Sequence, residues 1–141
     1  MTILFPMLAM VGLTVAVALR MYLHRVAFMK ANRIHPQKVD SRTKSAEHLT
    51  DTRASDNFMN LFEMPVLFYL ACITIYVTNS SSLLLVALAW AYVIFRIAHS
   101  LIHCSYNKVM HRFTAFILSA IVLLFIWLIV AAQLIFGTQL S

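Results

Sequence analysis

With 141 residues the chain has room for one domain, and 62% hydrophobic against 11% charged residues, at a mean hydropathy of +0.83, lies far outside the soluble globular range. The formal net charge of +6 does not mark nucleic-acid binding, because the basic residues do not interleave with aromatics and sit beside apolar runs. Cys72 and Cys104 both fall inside apolar stretches, so they read as buried thiols and supply neither a disulfide framework nor a paired-thiol metal site.

In chain order, the first apolar run starts at about Ile3 and continues into the region from Arg20 to Lys30. It follows Met1 with no basic segment before it and no small-residue cleavage pattern, so it is expected to stay as a span and not to be removed as a signal peptide. The segment 31–55 is the one long polar stretch, with His35, Pro36, Asp40, Glu47, Asp51 and most of the Lys and Arg. Three more apolar runs follow, at about 57–78, 83–104 and 113–136, each near the roughly 20 residues that a helix needs to cross a bilayer. Each must be helical, because an unpaired backbone amide in hydrocarbon costs several kcal/mol and the alternation of a barrel strand is absent. The prediction is an all-α, integral membrane four-helix bundle, one domain over 1–141 with spans at about 3–28, 57–78, 83–104 and 113–136.

Charge sets the orientation. Arg20, Arg25, Lys30, Arg33, Lys38, Arg42, Lys44 and Arg53 lie between the cores of the first and second spans, and Lys108 and Arg112 between the third and fourth. The Asn79 to Ser82 turn and both tails carry no Lys or Arg. The positive-inside rule then puts the first and third connections in the cytoplasm and both termini outside. Pro65, inside the second span, removes a backbone donor and frees the carbonyl of Leu61, which predicts a kink.

Ionisable side chains within spans are expensive and are functional candidates by default. Asp56, Asn60 and Glu63 stand at i, i+4 and i+7 on the second span, and Tyr92, Arg96, His99 and His103 at i, i+4, i+7 and i+11 on the third. Two such stripes, one acidic and one basic, satisfy each other only when the helices pack face to face. A plain structural reading pairs Glu63 with Arg96, adds Asn60 as an interhelical hydrogen bond and leaves the histidines bonded to carbonyls. A metal at Glu63, His99 and His103 is the weaker alternative, since the site lacks a fourth ligand and Arg96 would repel the ion; no metal is expected.

Asn60-Leu-Phe-Glu63-Met-Pro65 resembles the Asn-x-x-Glu followed by Pro of the membrane-associated eicosanoid and glutathione metabolism family. Arg96-Ile-Ala-His99-Ser100 and Arg112 resemble that family's Arg-x-x-His on its third helix and the catalytic arginine after it. Length, spans, outside termini and a basic first loop agree over essentially the whole chain. The resemblance implies a homotrimer that binds glutathione between subunits at the cytoplasmic side and admits a lipophilic small-molecule substrate from the lipid bilayer. It implies that Arg112 stabilises the thiolate, which is the nucleophile, that Asn60 and Glu63 hold the peptide, and that Arg96, His99 and His103 contact it or brace those residues. His103 stands where some members carry a tyrosine.

This chain departs from the family's pattern at three places. Asp56 occupies the position of a ligand-binding arginine, for which Arg53, about one turn earlier, is expected to substitute; Phe113 follows Arg112 where some members have serine; and Phe116 replaces a tyrosine. Two main readings result: a glutathione-dependent transferase or peroxidase acting on lipophilic electrophiles or lipid hydroperoxides, and a non-catalytic lipid-binding or scaffold protein of the same fold. A metal or proton carrier trails both, for want of broken helices or repeats. A short chain without targeting or retrieval motifs fits a bacterial inner membrane best.

Overall fold

The computed structural model describes residues 2–33 and 53–137. Most of the expected loop over 31–55, with Lys38, Arg42 and Lys44, lies outside the described residues. Among the described residues five helices follow in order: α1 Leu4–Ala31, α2 Arg53–Asn60, α3 Met64–Val77, α4 Leu83–Cys104 and α5 Val109–Phe136. Among the described residues there is no strand. α2 and α3 together make one span, Ser55–Val77, so four helical segments are long and apolar enough to cross a bilayer.

The ends of these helices follow from their residues. Ser82 has extended backbone angles, and its Oγ accepts the Leu85 N–H at 3.3 Å, starting α4. Gly137, at φ +61°, ends α5 in the left-handed conformation that glycine adopts without a Cβ penalty. α1 and α5, with 28 residues each, span about 42 Å at about 1.5 Å per residue. That exceeds a hydrocarbon core of roughly 30 Å, which lets α1 carry Arg20, Arg25 and Lys30 past the apolar region.

Pro65 does more than bend its span. The chain leaves helical geometry at Leu61–Glu63 and restarts at Met64, so that Pro65 falls in the first turn of α3, where its missing N–H would have had no partner anyway. The Leu61 N–H still reaches the carbonyls of Asn57 and Phe58, both at 3.2 Å, and the Phe62 N–H reaches Met59 at 2.9 Å. The Asn60 carbonyl is left over at the end of α2.

α4 is the central helix, packed along α5 and touching α1 and α2. The core is apolar and aromatic, with Met10, Val17, Phe68, Ala71, Ile75, Leu85, Ala89, Val93, Leu123, Ile126 and Val130 buried. Phe68 stacks on Tyr92 with ring centroids 4.4 Å apart. Outside, Leu8, Val15, Leu19, Ile94, Leu124, Leu128 and Ile135 are exposed. An apolar rim around an apolar core is what lipid as solvent selects. Buried polar groups depart from this pattern, and Asn57, Arg96, His99, Ser100 and His103 gather where α2 meets the C-terminal half of α4.

Candidate functional site

That end of the bundle begins with a phase difference on the second span. The helical spacing of Asp56, Asn60 and Glu63 predicts one inward face, but the break at Leu61–Glu63 interrupts the register. Asn57 and Leu61 point inward, Asn60 is half-buried, and Asp56 and Glu63 are exposed. The expected Glu63–Arg96 pair does not form within the chain. The guanidinium of Arg96, 0% exposed, instead donates from Nη2 to the Asn60 carbonyl at 2.9 Å. A cation at the C-terminus of α2 satisfies an orphan carbonyl and meets the negative end of the helix dipole.

The basic stripe on α4 is a single buried face: Tyr92, Arg96, His99 and His103 are all inside. The Phe116 ring, from α5, lies 5.9 Å from the Arg96 guanidinium carbon, at cation–π range, and 6.0 Å from the His99 ring. Arg96 Nε and Nη1, the Tyr92 hydroxyl, His99 Nε2 and His103 Nδ1 are buried with no hydrogen-bond partner among the described residues. Buried polar atoms are normally paired, so this concentration of unmatched groups makes the C-terminal half of α4 the candidate site.

Arg112 stands in the first turn of α5, half-buried, and is fixed from two sides. Its Nη1 donates to Asn107 Oδ1 at 3.0 Å and to His103 Nε2 at 3.2 Å. Its own carbonyl accepts from His99 Nδ1 at 3.1 Å. Asn107, at φ +49°, takes the left-handed conformation that asparagine tolerates, and this turn aims its side chain at Arg112. His99, His103 and Arg112 therefore form one hydrogen-bonded unit.

Arg53, expected to reach toward a ligand, is exposed and donates from Nη1 to the Ser105 carbonyl at 2.7 Å. Arg20 does the same to the Cys104 carbonyl at 2.6 Å. Both cap the C-terminal end of α4, where carbonyls lack helical partners and cations meet the dipole. The site thus brings together Asn60, Arg96, His99, His103 and Arg112, holds Arg53 at its edge, and leaves the Glu63 side chain on the outer surface. Sequence reasoning missed Asn57, which is 0% exposed and bonds Ser100 Oγ through Oδ1 at 3.4 Å and Cys104 Sγ through Nδ2 at 3.5 Å. Its signal was present: an amide within an apolar span, three residues before Asn60 and thus on an adjoining face. Among the described residues, no three His, Cys, Asp or Glu side chains come together as metal ligands.

Four helical spans among the described residues, with a polar, cation-rich cluster at one end, define a small integral membrane protein. The sequence model of the MAPEG family matches residues 3–132, nearly the whole chain, and the chain belongs to that family. Members generally use glutathione, and the family covers membrane transferase, peroxidase and lipid-metabolism roles. The chain matches no curated protein and no solved structure.

Proposed function

We propose that the protein is a glutathione-dependent membrane enzyme that joins the thiol to lipophilic electrophiles or uses it to reduce lipid hydroperoxides. The observation that carries this reading is the mounting of Arg112, a half-buried guanidinium held by His103 and Asn107 at the end of α5. A fixed cation at the rim of an apolar bundle stabilises a thiolate, and the thiolate is the nucleophile in both reactions. It attacks carbon in conjugation and oxygen in peroxide reduction. Arg96, His99 and His103 bind the anionic tripeptide or brace Arg112, with Asn60 and Glu63 taking its polar groups. Arg53 adds positive charge from the end of α4 but, bonded to Ser105, is a poor substitute for the arginine that Asp56 replaces.

The same reading includes a homotrimer: Glu63 presents a carboxylate beside exposed Phe62 and Val66, and a charge at membrane depth needs water or protein beside it. A neighbouring copy supplies that environment and closes a site between subunits. The basic connections, by the positive-inside rule, support a cytoplasmic face for the site with both termini outside, and a bacterial inner membrane is the proposed location. A non-catalytic lipid-binding role is the second reading, favoured by the exposed Asp56 and by Phe113, which is exposed beside Arg112. Calorimetry of glutathione with the detergent-solubilised protein separates the two: saturable binding supports the enzyme, and lipid binding without glutathione affinity supports the alternative.

A further inference from the structure

The hydrogen bonds of the α4–α5 cluster fix which nitrogens carry protons. A carbonyl only accepts, so the 3.1 Å contact between His99 Nδ1 and the Arg112 carbonyl places a proton on Nδ1 and leaves Nε2 as a bare lone pair. A guanidinium only donates, so the 3.2 Å contact between Arg112 Nη1 and His103 Nε2 commits the Nε2 lone pair of His103 and puts its proton on Nδ1. The two imidazoles, 5.8 Å apart, therefore have opposite tautomers. Of the basic side chains in the cluster, Arg96 and Arg112 have no acceptor to offer, and His103 has spent its own. His99 Nε2, in a side chain 3% exposed, keeps a lone pair with no partner among the described residues.

We infer that His99 Nε2 is the base that takes the proton from the thiol, while Arg112 stabilises the thiolate that remains. The inference rests on the glutathione reading above and adds the group that the arginine cannot be. The S–H bond breaks, its electron pair stays on sulfur, and the proton forms an N–H bond at Nε2, directly or through one water. Thiol and neutral imidazole become thiolate and imidazolium, with no change in the net charge of the buried unit.

When the thiolate attacks an electrophile such as an epoxide, the new alkoxide takes the proton back from Nε2 and the cycle closes. The ionisable groups around His99 are Arg96 and His103 on its own helix and Arg112 on α5. α1 and α2 also pack on α4, but they bring Arg20 and Arg53 to its end at Cys104 and Ser105.

His99→Asn is the informative variant, because the asparagine amide nitrogen overlays Nδ1 and keeps the bond to the Arg112 carbonyl while the base is removed. The experiment mixes wild-type, His99→Asn and Glu63→Gln proteins with glutathione in detergent, and records calorimetric binding, the rate of the ultraviolet thiolate band, and proton release to a pH indicator. Wild-type protein is expected to form thiolate while releasing well under one proton per site. His99→Asn is expected to bind glutathione, to form thiolate about 10²-fold more slowly, as loss of a general base requires, and to release the full proton to solution. Thiolate formation at the wild-type rate, with unchanged proton release, in His99→Asn overturns the assignment. So does a comparable slowing in Glu63→Gln with His99→Asn unaffected, which would move the role to the carboxylate. Absence of glutathione binding to the wild-type protein is a different result, since it removes the glutathione reading itself and this inference with it.

Discussion

The turn that joins the C-terminus of α3 to the N-terminus of α4 and the opposite end of the bundle, where α2 meets α3 and α4 gives way to α5, close their helices in different ways. At Thr78–Ser82 every bond is local: the Thr78 N–H returns to Thr74, the Ser80 N–H to Ile75, the Thr78 hydroxyl to Thr74, and Ser82 caps its own helix. At the opposite end, side chains cross between helices to reach backbone. Arg96 meets Asn60, Arg20 meets Cys104, Arg53 meets Ser105 and His99 meets Arg112. Local closure needs only serine, threonine and a turn, whereas closure by arginine and histidine stations charge and titratable nitrogen at fixed points. The difference teaches where chemistry can reside in a chain that is otherwise lipid-soluble: beside the helix ends that side chains complete.

Substitutions at the two ends, and between them, should separate stability from function. The largest effect on folding belongs to the shared core: Phe68→Ala removes the stack on Tyr92 and should cost about 3–5 kcal/mol, read as a fall in the thermal unfolding midpoint in detergent. Arg112→Ala should lower turnover about 10²–10³-fold, with a fall in that midpoint smaller than that of Phe68→Ala because the buried His103 Nε2 loses its donor; steady-state rates with a lipophilic electrophile check it, and full activity would remove the arginine from the mechanism. Asn57→Leu deletes a fully buried amide bonded to Ser100 and Cys104. It strands the Ser100 hydroxyl, so stability should drop by about 1–3 kcal/mol and glutathione affinity should weaken with it. Ser82→Ala, at the local end, should cost about 1 kcal/mol through the lost cap with glutathione affinity intact. If Ser82→Ala disturbed binding as much as Asn57→Leu, the division between the two ends would be wrong.

The spans were readable because lipid imposes a length and a composition that a sequence displays openly. α4's buried face was readable too, since Tyr92, Arg96, His99 and His103 recur at helical spacing along an unbroken helix. The second span was harder. Pro65 announced a disturbance, but whether the chain bends or breaks depends on what receives the freed carbonyls, and Arg96 lies 36 residues away from Asn60 in the chain. Asp56 and Glu63 lie outward and Asn57 inward, with the break falling between Asn60 and Glu63, so a stripe read as continuous was not. Arg20 read as an orienting charge at the end of the first span and Arg53 as a ligand-binding residue, because composition does not reveal that α4 ends beside them. The tautomers of His99 and His103 depend on one carbonyl and one guanidinium, which no spacing rule specifies.

The most direct test of the account is calorimetric titration of glutathione into the solubilised wild-type protein and into Arg112→Ala, each followed by an ultraviolet difference scan for thiolate. The account predicts saturable binding with a thiolate band in the wild type and loss of that band in the variant. No binding to the wild type at millimolar glutathione would contradict it and direct attention to lipid ligands of the same four-helix fold.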